Sequence, residues 1–284
     1  MKKIGVIGAG AMGCGIAHVA SLSGFEVILV DVKDEFINKG LSSISKNMDR
    51  QLEREKISIH EKEAALSLIN ISTDLNLFKE CDLVIEAVTE NLDIKGSIFK
   101  KLDQICRKDC ILSTNTSSIS ITEIASYTTR PQMVIGMHFM NPVPVMKLVE
   151  VIRGHLTDQK VVDAILKLAE EMGKIAVECN DYPGFVANRI LMPMINESIY
   201  CLMEGVAESK AIDDIMKLGT AHPMGPLELA DLIGLDVCLA IMQVLHEQLG
   251  DDKYRPCPLL RRMVAAGTIG RKSGQGFYNY KKLR

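Results

Sequence analysis

A chain of 284 residues has room for two domains or for one large sheet fold with an appended lobe, and 47% apolar with 24% charged residues is an ordinary globular balance. A formal net charge of -3, no tryptophan and 5% aromatic residues leave no electrostatic or stacking footprint for DNA or RNA, so no nucleic-acid partner is expected. The apolar opening from Ile4 to Ala17 is too short to span a bilayer and shows no small-residue cleavage site, so neither a membrane anchor nor a signal peptide is expected.

The first element is "KKIGVIG", a β-rich apolar run that passes straight into "AGAMGCG". Gly8, Gly10 and Gly13 thus form a GxGxxG pattern between a strand and a helix. Gly8 permits the tight turn, Gly10 lets backbone approach a pyrophosphate, and Gly13 lets helix and strand pack closely. The backbone of Gly8, Ala9, Gly10, Ala11, Met12 and Gly13 therefore forms the expected cofactor cradle, with the helix dipole favouring phosphate. The second strand, "FEVILV", ends at Asp31, where a carboxylate accepts from adenosine ribose hydroxyls and repels a 2'-phosphate. NAD(H) is therefore the expected cofactor. Lys33, close by, softens the preference and keeps an NADP(H) form open.

Nearly forty residues of helical pattern then follow, about 34–69, longer than a simple crossover. Most of its charges read as a solvated helical arm, while Lys46, Arg50, Arg54 and Lys56 could also meet an anionic substrate tail. Next come the strand "CDLVIEAV", the helix "LDIKGSIFKKLDQIC" with Ile98, Phe99, Leu102, Ile105 and Cys106 on one face, and the strands "CILSTN", "MVIGMHF" and "MKLVEVI". Together these predict an α/β fold with a mostly parallel sheet covered by helices, Rossmann-type, with a helical-arm insertion.

Of six histidines, His138 alone ends a predicted sheet strand, where such folds build their sites. Pro142 and Pro144 stiffen the following turn. Glu150, amid apolar neighbours on the next strand, needs a partner, and His138 across the turn is the natural one. Such a pair suits proton transfer near neutral pH. Alternatively His138 is a structural histidine and Glu150 a surface-facing strand residue.

At "NDYPGF", Pro183 and Gly184 mark a change of texture, which sets an expected cofactor domain over 1–183 and an all-α domain over 184–284. In "NRILMPMINESIYCLMEGV" the residues Ile195, Ile199, Leu202, Met203 and Val206 share one helical stripe. This apolar face suggests a homodimer or higher homo-oligomer through the second domain, although a core helix has the same pattern. Eight cysteines, at 14, 81, 106, 110, 179, 201, 238 and 257, include no CxxC pair, which fits a reduced, cytoplasmic setting. No metal is expected.

The segments "GAGAMGCGIA", "VIEAVTENLDIK", "STNTSSISI", "GMHFMNPVPVMKLVEVI", "YPGFVANRI" and "GRKSGQGFYNY", in this order along the whole chain, resemble the 3-hydroxyacyl-CoA dehydrogenase family, most of all its short bacterial 3-hydroxybutyryl-CoA dehydrogenases. The resemblance implies an acyl-CoA substrate, a Rossmann domain with a helical second domain, and dimerisation through the latter. It makes His138 the catalytic acid/base with Glu150 as partner, and places Ser117 and Asn188 on the substrate's C3 oxygen. Read without it, Ser117 is a helix cap and Asn188 an ordinary helical residue. It also points to Glu90, Lys95, Asn115 and Asn141 near the nicotinamide half and to Lys272 reaching the cofactor, although Lys272 also reads as a loop lysine. The helical arm, with Lys46, Arg50 and Lys56, is implied to contribute to the CoA site. A hydroxyacid dehydrogenase without CoA, and a dinucleotide sensor without turnover, remain as alternatives.

Overall fold

The computed structural model describes residues 1–280, and the chain divides into two compact units, Met1–Tyr182 and Pro183–Arg284. The first unit is built on eight strands: β1 Lys3–Ile7, β2 Glu26–Val30, β3 Ile69–Ser72, β4 Leu83–Glu86, β5 Ile111–Thr114, β6 Val134–Phe139, β7 Leu148–Arg153 and β8 Ile175–Asn180. They form one sheet in the order β3-β2-β1-β4-β5-β6-β7-β8, in which only the β6–β7 pair is antiparallel. The helices are α1 Ala11–Leu22, α2 Asp34–Glu53, α3 Ile59–Ser67, α4 Leu92–Ile105, α5 Ile121–Ala125 and α6 Gln159–Glu171.

The central strands β4, β5 and β6 are buried at every position, as parallel strands covered on both faces must be. The sequence reading missed both edge strands, β3 and β8. In β8 the apolar run is only Ile175–Val177 before Glu178, too short to mark a strand, and Ile175 and Val177 are more than half exposed at the sheet's edge.

The arm after β2 consists of α2 and α3. α2 buries the stripe Ile37, Gly40, Ile44 and Met48, and its Gln51 meets the buried His18 of α1 at 2.9 Å. α3 begins with a capping box in which Ser58 and Glu61 satisfy each other's backbone N–H groups. On α4 the buried face is Phe99 and Leu102, whereas Ile98 turns toward a cavity beside β1 and β4.

The second unit holds α7 Ala187–Met203, α8 Ser209–Gly219, α9 Pro226–Ile233, α10 Leu235–Leu249 and α11 Pro258–Ala265. Its core gathers Met192, Ile195, Ile199, Leu227, Leu235, Ile241 and Leu245. Val206 departs from the expected stripe: α7 stops at Met203, and Val206 lies beyond it, exposed. Asp213 on α8 accepts from the N–H groups of Leu227 and Glu228 and so caps α9, while Asp231 accepts from those of Phe277 and Tyr278 and fastens the final segment. Among the described residues no single helix is long and apolar enough to cross a membrane, and all eight cysteines are unpaired thiols.

Candidate active site

The site in the first unit is assembled at the carboxyl ends of β1, β4, β5 and β6, which lie at one edge of the sheet because these strands are mutually parallel. β1 ends in the glycine loop. Gly8 has φ +102° and its N–H donates to Val30 O at 2.8 Å, so the chain turns sharply against β2. A Cβ at Gly13 would stand 1.8 Å from the Gly8 carbonyl oxygen, whereas a Cβ at Gly10 would meet no protein atom within 4 Å. One glycine serves packing, and the other leaves open a place for something outside the protein. Gly10 caps α1 with no side-chain hydrogen bond, so the first N–H groups of α1, from Ala11, Met12 and Gly13, face that opening without a side-chain cap.

Asp31 closes β2 with its carboxylate braced from behind: Oδ2 accepts from Ala9 N and Oδ1 from Val32 N, both at 2.6 Å. Gly10 and Asp31 line two adjoining cavities. One, about 600 Å³, is walled by Val32, Ala87, Val88, Ile94 and Ile98. The other, about 450 Å³, lies toward Cys14, Lys39 and Ser43. A nicotinamide dinucleotide fits this set, with the glycine loop and α1 for its diphosphate, Asp31 for a ribose and the apolar wall for a base.

His138 and Glu150 stand directly opposite each other in the β6–β7 register, on the same face of the sheet. Nδ1 of His138 lies 2.7 Å from Oε2 of Glu150, with both residues less than a tenth exposed. Beside them the Asn115 side chain accepts from Phe139 N at 2.9 Å, and Asn115 N donates to Glu86 O at 2.7 Å, so one residue ties the ends of β4, β5 and β6 together. Asn141 sits exposed on the turn after β6. That turn is gripped by Lys174, a buried lysine the sequence reading passed over, whose ammonium donates to the carbonyls of Val143 and Met146 and whose pKa burial lowers.

The loop after β5 hangs from one carboxylate. Oε1 of Glu90 accepts from Thr116 Oγ1 at 2.5 Å, Ser117 N at 2.9 Å, Ser117 Oγ at 3.2 Å and Ser118 N at 3.1 Å. Burial opposes ionisation of Glu90, yet the Lys95 ammonium and these hydrogen bonds outweigh it and hold its pKa below the ordinary value. Ser117 is not a helix cap: the residue that caps α5 is Ser120, which accepts from Glu123 N. Lys95 is fully buried, with Nζ 2.7 Å from Glu86 Oε1 and 3.5 Å from Glu90 Oε2. Glu86 escaped the sequence reading, although an acid inside "DLVIEAV" was the signal.

Lys46 and Arg50 stand exposed four residues apart on α2, and Lys56 is exposed in the loop before α3. In the second unit Asn188 is buried in the first turn of α7, and Lys272 is paired with Asp236 at 2.7 Å.

Residues 3–182 match the model of the 3-hydroxyacyl-CoA dehydrogenase NAD binding domain, and residues 184–280 that of the 3-hydroxyacyl-CoA dehydrogenase C-terminal domain. A probable 3-hydroxybutyryl-CoA dehydrogenase of Deinococcus radiodurans is 58% identical, over 98% of this chain and 100% of the relative. The human mitochondrial hydroxyacyl-coenzyme A dehydrogenase is 42% identical over 99% of this chain and 92% of its own. The crystal structure of an (S)-3-hydroxybutyryl-CoA dehydrogenase from Ralstonia eutropha superposes with a TM-score of 0.97 at 48% identity, covering 99% of this chain and 100% of that one. Together with a dinucleotide cradle and an acid–histidine pair on one sheet edge, these matches leave one conclusion: the chain belongs to the 3-hydroxyacyl-CoA dehydrogenase family.

Proposed function

We propose that this protein is an NAD(H)-dependent oxidoreductase that interconverts (S)-3-hydroxybutyryl-CoA and acetoacetyl-CoA, with His138 as acid and base. The observation that carries the reading is the buried 2.7 Å contact between His138 and Glu150 at the cofactor edge of the sheet. The bound nicotinamide supplies the hydride acceptor or donor. His138 takes the proton of the C3 hydroxyl on oxidation and returns it to the forming alkoxide on reduction. Nδ1 is committed to Glu150, which makes Nε2 the nitrogen that exchanges this proton, and Glu150 offsets the charge of the imidazolium. Ser117, whose N–H and hydroxyl both donate to Glu90, is assigned by the family resemblance to the substrate oxygen, toward which its hydroxyl turns from Glu90 when substrate binds.

Asp31 supports NAD(H) over NADP(H), because a 2'-phosphate meets like charge there, and the Lys33 ammonium is drawn over the Phe36 ring, 5.5 Å from its centroid. The exposed cations Lys46, Arg50 and Lys56 suit the anionic end of a CoA substrate. Ile190 and Leu218, 68% and 87% exposed on the second unit, support self-association through that unit. Reduced thiols suit a cytoplasmic protein.

The test is NADH oxidation with acetoacetyl-CoA beside free acetoacetate, repeated with NADPH. Turnover is expected with acetoacetyl-CoA and NADH. Equal rates on free acetoacetate remove the CoA site, and activity with neither substrate removes the oxidoreductase reading.

A further inference from the structure

Glu86 closes β4 at the cofactor edge and is fully buried. A carboxylate has about four lone-pair sites, and Glu86 fills them all. Oε1 accepts from Val88 N and Lys95 Nζ, each at 2.7 Å, and Oε2 from Thr114 Oγ1 at 2.7 Å and Lys95 Nζ at 3.0 Å. The three partners lie in different parts of the site. Val88 walls the 600 Å³ cavity, and the neighbouring Ala87 carbonyl lies against the Gly8 turn, 2.6 Å from where a Gly8 Cβ would sit. Thr114 ends β5, immediately before the Asn115–Ser118 loop. Lys95 reaches on to Glu90 at 3.5 Å, and Glu90 holds Thr116, Ser117 and Ser118.

A buried ion pair is a poor way to gain stability, since an apolar pair of equal volume is often as good. What the charges add is direction: Glu86 holds the Lys95 ammonium through both carboxylate oxygens, and that ammonium reaches on to Glu90. We propose that Glu86 is a positioning residue of the cofactor and substrate crevice, acting through Lys95 and Glu90 on the loop that presents Ser117, and through Val88 on the cavity wall.

This inference deepens the functional reading above and rests on it for turnover, but its binding arm does not. NADH binding, followed by the cofactor's own fluorescence, and kcat and KM with acetoacetyl-CoA are measured for Glu86→Gln, Glu90→Gln and the two combined. Gln keeps the shape but has one accepting oxygen for four donor contacts. Each single change is expected to cost roughly ten-fold or more in NADH affinity or in kcat/KM, the scale lost when an outer-shell support is removed. In kcat/KM the combined variant should lose no more than the worse single one, because on the Ser117 loop both act along one path, and its NADH affinity should match that of Glu86→Gln, the change that also loosens Val88. Losses that multiply, or a Glu86→Gln enzyme equal to wild type, overturn the proposal. If Glu86→Gln does not fold, Thr114→Val, which deletes one of the four contacts, takes its place in the same cycle. A wild type inert on acetoacetyl-CoA sinks the functional reading alone, since the NADH titration still decides this one.

Discussion

The glycine loop and the His138 corner lie at the same edge of the same sheet but are built by opposite means. The loop works with backbone: Gly8, Gly10 and Gly13 bring N–H groups forward by having no side chain, and Asp31 is its one charged residue. The corner works with side chains, pairing His138 with Glu150 across a strand register and suspending Ser117 from Glu90. The difference follows from what each end of a hydride transfer needs. A diphosphate asks for fixed dipoles and close approach, which backbone provides. A moving proton asks for a group that titrates, and such a group must be braced when buried.

Substitutions within each region sharpen the contrast. Gly13→Ala should have the largest effect: its Cβ has no room beside the Gly8 carbonyl oxygen, so thermal stability and NADH binding fall together. Gly10→Ala should separate the two, leaving the melting temperature near wild type while weakening NADH about ten-fold or more, because only a ligand occupies that space. A Gly10→Ala protein that binds NADH normally breaks the account of the loop. At the corner, Glu150→Gln should lower kcat by about ten- to a hundred-fold, with NADH binding kept, as loss of a histidine's orienting partner does elsewhere.

Away from both regions, Asp103 and Arg130 form a buried pair at 2.8 Å at the far end of α4. Burial opposes ionisation of Asp103, but the N–H and hydroxyl of Thr129 and the Arg130 guanidinium outweigh it and hold its pKa below the ordinary 3.8. Asp103→Asn should therefore cost about 3 kcal/mol at neutral pH. That deficit should be fully present above pH 3.8 and shrink as pH falls through the lowered folded-state value, with kcat at pH 7 unchanged. Urea unfolding across the pH range checks the sign.

The cradle was legible because its physics is local: glycines at fixed spacing, a strand before, a helix after, and Asp31 where the next strand stops. His138 and Glu150 were legible from one turn and one acid among apolar neighbours, and the antiparallel register joins them. What escaped depends on contacts far apart in sequence. Glu86 meets Thr114, and Lys174 meets Val143, only after the sheet has formed. Ser117 and Asn188 came from family resemblance, since a hydroxyl or an amide on a helix or loop carries no periodic signal. The edge strands escaped because their apolar runs are short, broken by Asn70 in β3 and by Glu178 in β8.

His138 moves the proton, and the glycine loop on the same sheet edge holds the cofactor. The direct measurement is His138→Ala, with kcat on acetoacetyl-CoA and NADH affinity taken from the same preparation. A loss of roughly a hundred-fold or more in kcat is expected with NADH affinity unchanged, while the melting temperature falls because buried Glu150 loses its histidine partner. Near-normal turnover in that variant contradicts it.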